Sequence, residues 1–278
     1  MITRFTTACT NLAFQAVNAP SRLAVDHLAV LDIHYGERKD QRLDLYIPAT
    51  KSTDRHQLIV FFYGGSWTKG ARANYYFVAE TFTAAGYTVA IPDYIKYPEG
   101  AFPTFVEDAA ESIRWLANHV DEYTDINDII LMGHSAGAHI SAMLIADQRF
   151  LDTVGVDRDL ISAFVGLAGP YTFKPDSDHF REVFGNLEDF SAMRPATFAD
   201  GTEPPMLLVH GESDTTVLPI QTERFADRVN EHGGQAQAAI YPGVGHMGPV
   251  LTLSRLPFQN QKMRRDVLDF LGQKVPVA

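Results

Sequence analysis

Ser135 lies in Leu131-Met132-Gly133-His134-Ser135-Ala136-Gly137-Ala138-His139, with a glycine two residues to either side. A serine hydroxyl attacks a carbonyl only when a base takes its proton, and that base needs a carboxylate to fix its tautomer. The chain offers both. His246 sits in a glycine-rich stretch, 241–248 (YPGVGHMG), and Asp214 in 206–217 (MLLVHGESDTTV). Glu212, two residues earlier, is the competing carboxylate. Negative charge developing on the attacked oxygen needs backbone donors, and the small residues of 61–67 (FFYGGSW) can supply them. Ala136 adds an N–H at the start of a predicted helix, where negative charge is favoured. Trp67 and Met247 are candidates for the pocket walls. His139, four residues past Ser135 on that helix, reads as packing, and His134 as the variable position of the pentapeptide.

These residues need rigid elements to hold them. Short apolar runs at 58–63, 87–91, 129–132, 161–167, 206–210 and 238–241 are β-branched or aromatic and sit near Gly, Pro or Asp, as buried parallel strands do. Before them, 28–35 (LAVLDIHY) and 41–48 (QRLDLYIP) alternate in part, as an antiparallel edge hairpin would. Helices are predicted over 104–120, 219–231 and 258–271. The first follows Pro103 with a Thr104-x-x-Glu107 capping box, the second ends at Gly233-Gly234, and the third stops at Gly272. Alternating strands and helices predict an α/β chain with a mostly parallel sheet covered on both faces. Each candidate residue then falls just past a strand's carboxyl end, where open α/β sheets bind ligands. The sharp turn from strand to helix explains Gly133 and Gly137, which must clear the strained serine between them.

Length and composition set further bounds. The 278 residues, 46% of them hydrophobic, suffice for a single domain over 1–278, with an amino-terminal extension over 1–27. Segment 168–204 breaks the rhythm with Pro170, Pro175 and Pro195 and reads as an insertion or lid. The net charge is -11 with no basic cluster, which argues against a nucleic-acid partner. A single cysteine, Cys9, excludes an internal disulfide framework and a cysteine-based zinc site. No apolar run is long enough to span a membrane, and the first eight residues are too short for a signal peptide's core. The expected location is cytoplasmic. No HExxH motif or dinucleotide fingerprint occurs, and serine acyl transfer needs no metal or organic cofactor. Oligomeric state is not legible.

From about 34 to 272 the chain resembles α/β-hydrolase esterases of the branch that includes hormone-sensitive-lipase-like carboxylesterases and kynurenine formamidases. The resemblance rests on YGERKDQRLDLYIP, YGGSW, IPDYIKYPEGAFPTFVEDAAESIRWL, GHSAG, HGESDTTV and GVGHMG. It implies the triad Ser135, Asp214 and His246, with oxyanion donors at the N–H groups of Gly65, Ser66 and Ala136. It also implies that Asp93 and Glu99 brace the oxyanion loop. The chain departs from the family at Tyr63, where a histidine is usual, and at Ser66, where a third glycine is common. The implied substrate is a small carboxylic ester, with an aryl formamide such as N-formylkynurenine as the alternative; a narrow acyl pocket walled by Trp67 would favour the formamide. A non-catalytic binding module on the same fold is the remaining reading. The stretch ACTNLAFQAVNAP resembles the start of anchored bacterial relatives, so an anchored or exported form is the alternative to a cytoplasmic one.

Overall fold

The computed structural model describes residues 13–22, 27–49, 55–185, 189–256 and 260–274. Cys9 lies outside them. Eight strands form one sheet: β1 (His27–His34), β2 (Arg42–Pro48), β3 (Gln57–Phe62), β4 (Thr88–Pro92), β5 (Asp128–His134), β6 (Ile161–Leu167), β7 (Met206–Gly211) and β8 (Ala236–Tyr241). Their spatial order is β1-β2-β4-β3-β5-β6-β7-β8. β1 and β2 pair antiparallel, β2 meets β4 antiparallel, and every later pairing is parallel. The sequence produces this order directly. β3 (QLIVFF), β4 (TVAIP) and β7 (MLLVHG) are buried at every residue, as strands covered on both faces must be. β1 is exposed at five of its eight positions and takes the edge.

The helices are α1 (13–22), α2 (Tyr76–Thr83), α3 (Thr104–His119), α4 (Ala136–Ala146), α5 (Arg149–Thr153), α6 (Asp178–Val183), α7 (Pro195–Phe198), α8 (Ile220–Glu231), α9 (Gly248–Leu251) and α10 (Gln261–Lys274). α4 is buried along its whole length, which suits its Ala- and Ile-rich sequence. α8 ends in a Schellman motif: Gly234 N–H donates to the Val229 carbonyl and Gly233 N–H to that of Asn230, with Gly233 at φ 89°.

Two expected helix ends differ. Thr104 is not a capping residue. Pro103 occupies the cap, and its carbonyl accepts from Val106 and Glu107. Thr104 is already helical, and its N–H is taken by the Ala101 carbonyl. At the other end α10 runs through Gly272 to Lys274, because Gly272 does not take the positive φ of a helix-ending glycine.

Segment 168–204 lies between β6 and β7 and carries α6 and α7. Its aromatics pack on Trp67, with Phe173 at 5.5 Å and Phe184 at 4.8 Å between ring centroids. No helix among the described residues is long and apolar enough to cross a membrane.

Candidate active site

β5 ends at His134, and the chain reverses at Ser135 to enter α4. Ser135 sits at φ 53°, ψ -119°, a region that a side-chain-bearing residue adopts only when its surroundings hold it there. Its N–H donates to the Leu167 carbonyl on β6, and its carbonyl accepts the first helical bond, from His139. Gly137 permits the turn, since a Cβ there would meet the Phe62 carbonyl oxygen at 2.0 Å.

The loops after β7 and β8 bring the other two residues to the serine. Ser213 N–H donates to the Val244 carbonyl at 3.0 Å, which stitches the two loops together. His246 Nε2 lies 2.9 Å from Ser135 Oγ, and His246 Nδ1 lies 2.7 Å from Asp214 Oδ2. An ionised carboxylate only accepts, so Nδ1 carries the proton and the Nε2 lone pair faces the serine hydroxyl. Asp214 Oδ1 accepts from the N–H groups of Thr216 (2.8 Å) and Val217 (3.0 Å). Burial alone would raise the Asp214 carboxyl, but the Val217 N–H, His246 and the Thr216 N–H outweigh it and hold it below the usual carboxylate range. Glu212, the competitor, points to solvent.

The facing loop follows β3. Gly65, Ser66 and Trp67 have successive positive φ values of 146°, 54° and 57°. Gly65 has no alternative: a Cβ would meet the Lys69 carbonyl oxygen at 2.0 Å. The Gly65 carbonyl accepts from Thr68 and Lys69, while the N–H groups of Gly65, Ser66 and Ala136 donate no hydrogen bond among the described residues. Tyr63 is fully buried, stacked between Tyr75 and Tyr94, and its hydroxyl donates to Asp93. Burial and then the Asp93 charge push the Tyr63 phenol up, so it stays protonated and neutral. Asp93 also receives the Arg72 N–H and guanidinium, and Arg72 reaches on to Asp44 at 2.8 Å. The brace expected from Asp93 and Glu99 therefore runs through Asp93, Arg72 and Asp44. Glu99 is exposed and has no hydrogen bond or ion pair among the described residues.

A cleft of about 790 Å³ opens over Ser135. Gly65, Ser66, His246 and Met247 line it, and Met247 is partly exposed. Trp67 does not line it. Its ring is turned into the aromatic cluster with Phe173 and Phe184, where apolar burial holds it. No described residue of 168–204 is in that lining either. The covering element is α1, through Ala13, Phe14 and Val17. Asn18 holds α1 in place: its side chain donates to the Asn74 carbonyl at 3.0 Å and accepts from Phe77 N–H at 3.0 Å.

Two histidines take roles beyond those read from the sequence. His210 Nε2 lies 2.9 Å from the Val217 carbonyl, so it bears a proton, which it shares with Asp214 Oδ2 at 3.1 Å. His210 thus backs the carboxylate at the same oxygen that meets His246. His134 donates from Nε2 to the His246 carbonyl at 3.1 Å, tying the base's loop to the residue before the serine. The stretch HGESD carried the signal for His210, four residues before Asp214; nothing local marked His134.

Burial pushes His134 down to about 3 and His139 down to about 4, so both are neutral in the fold. An unfolded histidine titrates near ~6.5 and takes up a proton that the fold refuses. Stability is therefore intact above about pH 7 and falls as pH drops from ~6.5 toward 4. At pH 5, His139 contributes a loss of about 2 kcal/mol. His139 donates to the Met193 carbonyl at 2.7 Å, and glutamine retains a donor there. His139→Gln is expected to flatten the acid decline by that amount. Urea midpoints at pH 7 and pH 5 measure it, and an identical decline in both proteins excludes His139 as the source.

Residues 43–229 match the BD-FAE family, which is two thirds of the chain. The chain belongs to the BD-FAE family. This BD-FAE chain is 30% identical to isoprenylcysteine alpha-carbonyl methylesterase of Arabidopsis thaliana over 77% of its own length and 55% of the relative's. It is 25% identical to kynurenine formamidase of Drosophila melanogaster, over 81% of this chain and 75% of the relative. The chain spans about half the length of the methylesterase relatives it matches. Among solved structures, esterase B of Lactobacillus rhamnosis superposes with a TM-score of 0.79 at 18% identity, over 96% of this chain and 93% of that one. A thermophilic esterase of Thermogutta terrifontis gives 0.70 at 25% identity, over 90% and 94%. The architecture is the α/β-hydrolase fold.

Proposed function

We propose that this BD-FAE chain is a carboxylic ester hydrolase working through a serine acyl-enzyme on a small-molecule substrate. The observation that carries this reading is the continuous relay Ser135–His246–Asp214, with separations of 2.9 and 2.7 Å, at the floor of an open cleft. Ser135 Oγ attacks the ester carbonyl as His246 Nε2 takes its proton. Asp214 stabilises the resulting imidazolium without taking the proton itself. The N–H groups of Gly65, Ser66 and Ala136 hold the negative oxygen of the tetrahedral intermediate, each worth ~3 kcal/mol. His246 then protonates the departing alcohol. A water, deprotonated by the same imidazole, attacks the acyl-serine and releases the acid, restoring Ser135.

A formamidase would use the same relay, and relatives of that name support it as the second reading. A narrow acyl pocket walled by Trp67 would have favoured it. With Trp67 out of the lining and a cleft of about 790 Å³, an ester with a bulkier apolar group is the better fit. The expected results are turnover of p-nitrophenyl butyrate, little or no cleavage of N-formylkynurenine, and a fluorophosphonate adduct located on Ser135 by peptide mass. An unlabelled Ser135 in folded protein would overturn the hydrolase reading; efficient formamide cleavage without ester turnover would replace it with the second one.

A further inference from the structure

The cleft is uneven in its chemistry. Phe14, Val17, Tyr75 and Leu251 give it an apolar wall, and Ser66, Asn74 and Thr216 add neutral polar groups. No aspartate or glutamate is among the described lining residues, in a chain where acidic residues outnumber basic ones by 34 to 23. His134, also in the lining, is held neutral by burial. Among the described lining residues, Lys69 is the one lysine or arginine.

Its backbone is fixed. Lys69 N–H donates to the Gly65 carbonyl at 3.1 Å, and its own carbonyl fills the space a Gly65 side chain would need. Its stem starts beside the same glycine, with Cγ 3.4 Å from that ideal Cβ position. The side chain is exposed, and its ammonium has no ion pair or hydrogen bond among the described residues. Arg72, the nearby alternative cation, is consumed by Asp32, Asp44 and Asp93. An unpaired cationic residue in a mostly apolar lining, with no acid among its described residues, favours a ligand carrying the opposite charge. Substrate that displaces water from the cleft strengthens that attraction.

We propose that Lys69 binds a carboxylate on the substrate, so that the substrate class is an ester with an apolar body and an anionic end. This rests on the ester-hydrolase reading. The triad and the oxyanion donors act on the ester carbonyl, while Lys69 selects what accompanies it and touches no reacting atom.

Two matched pairs test it. In 4-butanoyloxybenzoate and 4-butanoyloxybenzamide the charge is on the leaving group; in monomethyl adipate and methyl 5-carbamoylpentanoate it is on the acyl side. Release of the phenol or of acid gives kcat/KM for each. In wild type, the carboxylate of one pair is expected to be preferred over its amide. Lys69→Gln is expected to lower that preference about fivefold, the upper range for a partly exposed ion pair, through KM rather than kcat. Lys69→Arg is expected to retain it, and about 0.5 M NaCl to erode it in wild type. An anion-to-amide ratio unchanged by Lys69→Gln in both pairs overturns the proposal while leaving the hydrolase reading in place. No turnover of any of the four, together with no fluorophosphonate adduct on Ser135, overturns both.

Discussion

Ser135→Ala is expected to lower kcat for p-nitrophenyl butyrate by about 10⁶, leaving only what oxyanion donors and binding supply over water. The fold should tolerate the change. The Ser135 N–H bond to Leu167 and the carbonyl bond from His139 are backbone interactions that alanine keeps. Alanine is also no larger than serine, so the contacts Gly137 makes room for are unchanged. The loss should therefore appear in kcat with a thermal midpoint within a few degrees of wild type. Activity within tenfold of wild type, in folded protein, would place the nucleophile elsewhere.

The second large effect is expected at Asp214. Its two oxygens have separate tasks, and an amide cannot do both. Oδ1 accepts from the Thr216 and Val217 N–H groups, so in Asp214→Asn the amide oxygen must stay there. That places the NH₂ group where Oδ2 stood, facing His246 Nδ1 and His210 Nε2, both of which carry protons. His246 can relieve the clash only by moving its proton to Nε2, which then points at Ser135 and cannot act as a base. A kcat loss of about 10⁴ is expected. Because His210 is opposed as well, and Val217 holds its proton in place, a stability loss of about 1–3 kcal/mol should accompany it. Kinetics and urea unfolding of the same preparation give both numbers. A kcat within tenfold of wild type would show that the carboxylate is dispensable.

The strands were legible because each is a short β-branched or aromatic run with turn chemistry at its ends, and parallel burial leaves no polar alternation to confuse them. The relay was legible for a related reason: once the strands are assigned, Ser135, Asp214 and His246 all fall just past carboxyl ends. The misreadings share a different cause. Its place next to Ser66 points Trp67 to the cleft, but its direction is decided by aromatics more than a hundred residues away, Phe173 and Phe184. Glu99 was assigned to the brace by its motif, whereas Arg72 and Asp44 do that work from separate elements. His134 and His210 act through burial and tautomer, neither of which is a property of nearby sequence. α1 went unread because 13–22 shows no strong apolar periodicity, and its role depends on Asn18 finding the backbone at 74 and 77.

That docking has a practical consequence. α1 precedes the stretch matched by the family, yet Ala13, Phe14 and Val17 form part of the cleft. The described chain enters α1 at the cleft itself, whereas no described residue of α10 is among the cleft lining. An affinity tag is thus not a neutral handle in this protein. Kinetic constants from amino-terminally and carboxyl-terminally tagged preparations should be treated as belonging to two different enzymes until α1 has been shown to sit the same way in both.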